Sequence, residues 1–178
     1  MPRILFVGQA RREKGLLDLI DATSKLTNSI NLQVVGPQDP GPVSSLEQQH
    51  DTTNVGWINH FVSDAELANL YKRSSIVAVP YRSSFRHHGG ASGGLSRALA
   101  HAQPVVTTET GSDQLPMSCG GAVVVPADNV SALTEGLEQA LQATTALTAA
   151  AVVEGPAFIH KHHTFEAYVT ALPGRTNG

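Results

Sequence analysis

The stretch IVAVPYRSSFRHHGGASGGLSRALAHAQPVVTT, Ile76 to Thr108, decides the fold. It opens on a short, wholly apolar run that Pro80 stops, since proline cannot continue a sheet ladder. A loop of arginine, histidine and glycine follows. Ser92 then stands ahead of Leu95, Ala98, Leu99 and Ala102, which recur at helical spacing, and a serine in that place caps a helix start. After Pro104 comes a second apolar run, Val105 to Thr108. Runs that are apolar throughout, rather than alternating, belong to strands buried on both faces, as in a parallel sheet.

The rest of the chain repeats this unit. Ile4–Val7, Asn31–Val35, Val55–Ile58 and Ala122–Val125 read as further strands. Leu16, Leu19, Ile20 and Leu26 have helical spacing. Ser63-Asp64-Ala65-Glu66 is a capping box ahead of Leu67, Leu70 and Tyr71. Asp128 is expected to cap a helix carrying Val130, Leu133, Leu137 and Leu141. Pro37 to Pro42 reads as a loop with a short helix after it. Ala149 to Leu172 reads as one or two last helices, broken at Gly155-Pro156. The expected class is α/β: a Rossmann-like, doubly wound parallel sheet of about six strands with helices on both faces. No linker divides the chain, so residues 1–173 are expected to form one domain, with a disordered tail over 174–178.

The totals exclude several classes. The chain has 178 residues, 41% apolar and 15% charged, with a formal net charge of -3, so nothing global points to nucleic acid or a membrane. The single cysteine, Cys119, excludes an internal disulfide and a multi-cysteine zinc site. There is no signal-peptide pattern and no run of transmembrane length; the expectation is a cytoplasmic chain.

Charge is informative locally. From Leu67 to Thr108 there is no Asp or Glu, while Lys72, Arg73, Arg82, Arg86, Arg97, His87, His88 and His101 all fall there. A second basic cluster, Arg11, Arg12 and Lys14, follows the first strand. Loops leaving strand C-termini share one edge of a doubly wound sheet. If the first strand and Ile76–Val79 are neighbours, both clusters therefore face one crevice. The helix at Ser92 adds free first-turn amides and the positive end of its dipole, and Gly89, Gly90, Gly93 and Gly94 admit close approach. A phosphate or pyrophosphate site is the reading, against a merely solvated basic loop.

FVGQARREKGLLDLIDA, LQVVG, NVGWINHFVSDAELANLYKRSSIVAVPY, ASGGLSRALAHAQPVVTTETG and GAVVVPADNVSALTEGLEQAL occur in the order seen in family-four retaining glycosyltransferases of the GT-B fold. The chain resembles their C-terminal, nucleotide-sugar-binding half over roughly Ile4 to Leu141. The resemblance implies a donor-diphosphate and sugar site at Gly8, Gln9, Arg12, Lys14, His88, Gly90, Ala91, Ser92, Gly93 and Arg97. It implies a base and ribose wall at Trp57, Asn59 and Phe61, where Asn59 replaces a glycine and suits a left-handed turn. The donor is a nucleotide-diphosphate sugar, with no further cofactor and no metal. Two family glutamates, which contact sugar and ribose, are replaced by Gly89 and Arg97. Ser92-Gly93-Gly94-Leu95 instead resembles the Ser-Gly-x-Leu form of the loop. An acceptor domain is expected on another segment or chain, without which the chain is not expected to transfer sugar. No nucleic acid is implied, and peripheral membrane association is left to the complete hexosyltransferase-type enzyme.

Two alternatives stand beside this, and two further clusters have plain readings. A non-catalytic domain keeps the fold with weak or no nucleotide binding. Ser92 as the nucleophile of a serine hydrolase needs an acid and a histidine later in the chain, with Asp128 and His160 the candidates. His160, His162 and His163 with Glu166 fit no common zinc spacing and read as a surface cluster, and Cys119 reads as an incidental thiol.

Overall fold

A computed structural model of the protein describes residues 1–38, 52–88, 92–112 and 120–162. Six strands, β1 (Arg3–Val7), β2 (Asn31–Val35), β3 (Val55–Ile58), β4 (Ile76–Val79), β5 (Val105–Thr108) and β6 (Ala122–Val125), form one sheet in the order β3-β2-β1-β4-β5-β6. Every pairing is parallel. At the centre Ile4 lies opposite Ile76 and Leu5 opposite Val77. Ile4, Leu5, Ile76 and Val77 are all buried, as a strand covered on both faces requires.

Alternate side chains feed two cores. On one face Ile4, Phe6, Leu32, Val34, Ile76, Ala78 and Val106 pack with Leu16, Leu19 and Ile20 of α1 (Leu16–Ser24) and with Leu133, Leu137 and Ala140 of α5 (Val130–Gln142). On the other, Leu5, Val77, Val79 and Val105 pack with Leu67 and Tyr71 of α2 (Asp64–Lys72), with Leu95, Ala98 and Leu99 of α3 (Gly93–Ala100), and with Phe158 and Ile159 of α6 (Thr144–His162). A single turn, α4 (Glu109–Ser112), follows β5. The α/β Rossmann-like reading, with a parallel sheet wrapped on both sides, is the observed architecture.

The capping box forms: the Ser63 hydroxyl accepts from the Glu66 amide, and the Glu66 carboxylate accepts from the Ser63 amide at 2.8 Å. That backbone hydrogen bond, followed by one from the Ser63 hydroxyl, lowers the Glu66 pKa. Three local expectations are corrected. The cap of α5 is Asn129, whose side chain accepts from the Ala132 amide, while Asp128 sits in the left-handed region with φ 56° and turns its carboxylate elsewhere. Ala102 lies beyond α3 with φ 54°, at the left-handed position of a Schellman cap: its amide donates to the Leu99 carbonyl at 2.9 Å and the Gln103 amide to the Ala98 carbonyl at 3.0 Å. Finally, α6 runs unbroken through Gly155-Pro156 and begins at Thr144. Packing overrides the breakers: a Cβ on Gly155 would lie 2.6 Å from the Leu99 carbonyl oxygen, so glycine lets α6 press against α3. The loop and short helix read after Pro37 fall largely, and the tail over 174–178 wholly, outside the described residues.

Tyr71 is fully buried and stacks on His101 at 4.7 Å between ring centroids, yet among the described residues its hydroxyl has no hydrogen-bond partner. Burial pushes its pKa up from 10.0 to about 12. Above pH 10 the unfolded chain therefore releases a proton that the folded chain retains, and stability falls as pH rises toward 12. Tyr71→Phe is expected to be within about 1 kcal/mol of the parent at neutral pH, or more stable, since no bond is lost. It should also flatten the alkaline decline. Urea midpoints measured across that pH range check both outcomes.

Candidate functional site

The strand order reverses between β1 and β4. The chain leaves β1 for β2 and β3, then crosses to β4 on the other side, so loops leaving β1 and β4 diverge and leave a crevice at their C-terminal ends. The loop after β1 runs from Gly8 into a 3-10 turn, Arg12–Lys14, and Gly15 then starts α1. Gly15 has φ 70°, and a Cβ there would lie 1.8 Å from the Pro80 carbonyl oxygen. Only glycine lets this turn lie against the exit of β4. The arginine-histidine loop after β4 begins with Tyr81 and leads to Ser92 and α3.

These two turns meet. The Lys14 ammonium donates to the Tyr81 hydroxyl at 3.0 Å, and the Ser92 hydroxyl donates to the same oxygen at 3.1 Å. The ammonium also lies 4.4 Å from the Tyr81 ring centroid and 4.9 Å from that of Phe85, a cation-π arrangement that holds it without a carboxylate. Ser92 is buried and caps α3, accepting from the Leu95 amide at 3.0 Å. Its hydroxyl is thus committed twice. The Gly93 and Gly94 amides have no hydrogen-bond partner among the described residues, and space around Gly93 is open. The crevice therefore presents an ammonium and free helix-start amides, the elements of an anion site.

Gln38 fixes the floor of the crevice. Its buried side-chain amide donates to the Gly8 carbonyl at 2.6 Å and to the Gly36 carbonyl at 3.0 Å, and accepts from the Ala10 amide. Its own backbone amide donates to the Asn59 side-chain oxygen. One glutamine thus ties together the exits of β1, β2 and β3.

Residues 1–143 match the model of the group 1 glycosyl transferases. The chain belongs to this family. Among solved structures, a sucrose-phosphate synthase from Thermosynechococcus elongatus shares 19% identity at a TM-score of 0.76, covering 95% of this chain and 43% of that one. The C-terminal domain of a group 1 glycosyl transferase from Francisella tularensis shares 17% at 0.73, covering 92% and 87%. S. aureus TarM, solved with UDP, shares 11% at 0.75, covering 94% and 34%. The chain thus has the fold of one Rossmann-like half of a GT-B glycosyltransferase and spans less than half of the first and third of these proteins. No curated protein matches it.

Within this glycosyltransferase domain, the residues implied by the family do not all gather. Gly8, Lys14, Ser92 and Gly93 flank the crevice. Gln9 and Arg12 are exposed on the same loop, and Arg97 is exposed further along α3, where its charge reaches the buried Tyr71. Gly89, Gly90, Ala91 and Cys119 lie outside the described residues, as do His163 and Glu166; the backbone of His88 is described. Among the described residues no group of three metal-ligating side chains is present.

The base wall divides. Trp57 packs into the α1 and α5 core, because alternation along β3 sends it to that face, whereas Phe61 is 85% exposed. Asn59 does not take the left-handed turn; its side chain is used on Gln38 instead. A cleft of about 310 Å³ lies beside it, lined by Ile58, His60, Val62, Leu70 and Arg73 among others. A second, of about 150 Å³, opens between Thr23 and Asn54, at the N-terminal ends of β2 and β3 and away from Lys14.

The hydrolase alternative fails on geometry. Ser92 is not presented on an exposed elbow, and Asp128 is taken by Arg82 and by the Ser83 amide. No described helix is long and apolar enough to cross a membrane. Sequence reasoning missed Tyr81, Gln38 and the pairing of Arg82; only the polar glutamine directly after Gly36-Pro37 carried a local signal.

Gln38→Leu would strand a buried amide and two carbonyls, so it is expected to lower stability by about 1–3 kcal/mol in a chemical-denaturation measurement. Ser92→Ala, which loses a cap, is expected to cost about 1 kcal/mol by the same measurement.

Proposed function

We propose that this crevice holds the diphosphate of a nucleotide-sugar donor, with Lys14 and the Gly93 and Gly94 amides as its grip, and that residues 1–173 form the donor domain of a hexosyltransferase-type enzyme. One observation carries the reading: the ammonium of Lys14 and the start of α3 converge on the Tyr81 hydroxyl, across the point where the strand order reverses. TarM, whose structure is similar, was solved with UDP, which supports a nucleotide diphosphate as the class of ligand.

In transfer, the bond from the anomeric carbon to the diphosphate oxygen breaks, and negative charge grows on the departing nucleotide diphosphate. A fixed ammonium and aligned amides stabilise that charge more than they stabilise the intact donor. Ser92 takes a positioning role: its hydroxyl is spent on the cap and on Tyr81, so the contact to phosphate falls to the backbone beyond it. Bases and sugars contact Phe61 and the loop after β3. The anomeric carbon forms its new bond to a hydroxyl oxygen of the acceptor, which gives up its proton, and the acceptor is held by a domain on another segment or chain.

A second reading keeps the fold without transfer and with weak or no nucleotide binding. It is favoured by the arginine at position 97, since a guanidinium can only donate hydrogen bonds and offers ribose hydroxyls no acceptor.

Titration calorimetry with UDP, GDP and their glucose derivatives tests the proposal. Binding of one of them is expected, with Lys14→Ala costing about 2 kcal/mol, roughly thirtyfold in Kd. A folded chain that binds none of them would overturn the donor reading and leave the second.

A further inference from the structure

Arg82 stands in the acid-free stretch of sequence, yet it is not a free cation. Its Nε donates to Asp18 Oδ2 at 2.7 Å and its Nη2 to Asp18 Oδ1 at 3.0 Å, a two-pronged pair between the β4 exit and α1. Asp128 Oδ1 lies 3.6 Å from the same Nε, and Asp128 Oδ2 accepts from the Ser83 amide at 3.3 Å. The hydrogen bond that Arg82 donates to Asp18 is the largest influence raising the Arg82 pKa.

Two further features concern the same place. The Arg82 backbone amide donates to the Glu13 carbonyl at 3.0 Å, inside the turn that carries Lys14. Asp128 is one of two non-glycine residues with positive φ among those described, a conformation that costs energy and persists only where its surroundings enforce it. What it obtains there is the approach to Arg82 and Ser83. The guanidinium fork thus joins the starts of α1 and α5 to the β4 exit, and Gly15 presses the Lys14 turn against Pro80 from the other side.

We propose that Arg82 is a positioning residue: with Asp18 and Asp128 it locks the Arg12–Lys14 turn to the β4 exit, so that the Lys14 ammonium is held at Tyr81 and at the start of α3. Arg82 itself does not touch the anion. The part concerning ligand affinity rests on the donor reading above; the part concerning Lys14 does not.

The experiment uses the full chain and two readouts. Acetylation of Lys14 by acetic anhydride, followed by mass spectrometry, reports how firmly the amine is held without any ligand. Calorimetry with UDP reports affinity. In Arg82→Ala and Asp18→Asn, Lys14 is expected to react several-fold faster and UDP to bind roughly tenfold more weakly, because a small displacement of a charged contact is costly. Arg82→Lys should fall between, since an ammonium reaches a carboxylate but lacks the fork. Lys14→Ala should cost little more in the Arg82→Ala background than Arg82→Ala alone, since coupled residues are not additive.

Unchanged Lys14 acetylation in a folded variant overturns the proposal, as does unchanged UDP affinity in a folded Arg82→Ala. If Arg82→Ala fails to fold, Asp18→Asn, nearly isosteric, decides in its place. If the parent binds GDP rather than UDP, GDP takes its place in the affinity readout; if it binds neither, the donor reading falls and the acetylation rates alone decide this one.

Discussion

Everything at the candidate site depends on the parallel pairing of β1 with β4. Val7 and Val79 are far apart in sequence, but once Ile4 lies opposite Ile76 and Leu5 opposite Val77 their loops leave the sheet side by side. The pairing is driven by burial: both strands are apolar without interruption and are covered on both faces. A parallel neighbour cannot be reached by a short hairpin, so the intervening chain supplies β2, β3 and α2 before returning. The reversal in strand order, and the crevice at it, are what that detour leaves behind.

On this frame the Tyr81 hydroxyl acts as a polar bridge. It takes hydrogen bonds from Lys14 and from Ser92, and Ser92 in turn accepts from the Leu95 amide. From Leu95 through Ser92 and Tyr81 to Lys14 each group is bonded to the next, which makes the four rigid as a unit. The aromatic rings beneath Lys14 hold an ammonium while leaving its remaining protons unspent. A carboxylate in their place would have neutralised the charge that Lys14 brings to the crevice.

The legible part of the fold was the part encoded within a turn or two of the chain. The apolar runs at Ile4, Asn31, Ile76, Val105 and Ala122 became strands, and Ser63 with Glu66 and Ser92 with Leu95 became caps, because those signals are local. The convergence of Lys14 and Ser92 followed from one topological condition, and the sheet meets it. What was not legible depends on partners distant in sequence. Arg82 looked like one more free cation because its partner Asp18 is 64 positions away. Gln38 stood out only as a polar residue directly after Gly36-Pro37, since the Gly8 and Asn59 groups that it joins are 30 and 21 positions away. Trp57 looked like a binding wall, but the alternation along β3 turns it inward. Gly155-Pro156 looked like a break, yet contact with Leu99 rewards a continuous helix there.

Gly15 and Lys14 are neighbours under unlike constraints. Any side chain on Gly15 collides with the Pro80 carbonyl, so the architecture itself forbids drift at that position. Nothing in the architecture similarly protects the lysine, whose side chain rests on a hydroxyl and two ring faces. In descendants of this chain the two should therefore separate: a lineage that abandons its anion will keep the glycine and let the lysine go. The pair is a small historical record, in which the first letter reports what the crevice still does and the second only what shape it must have.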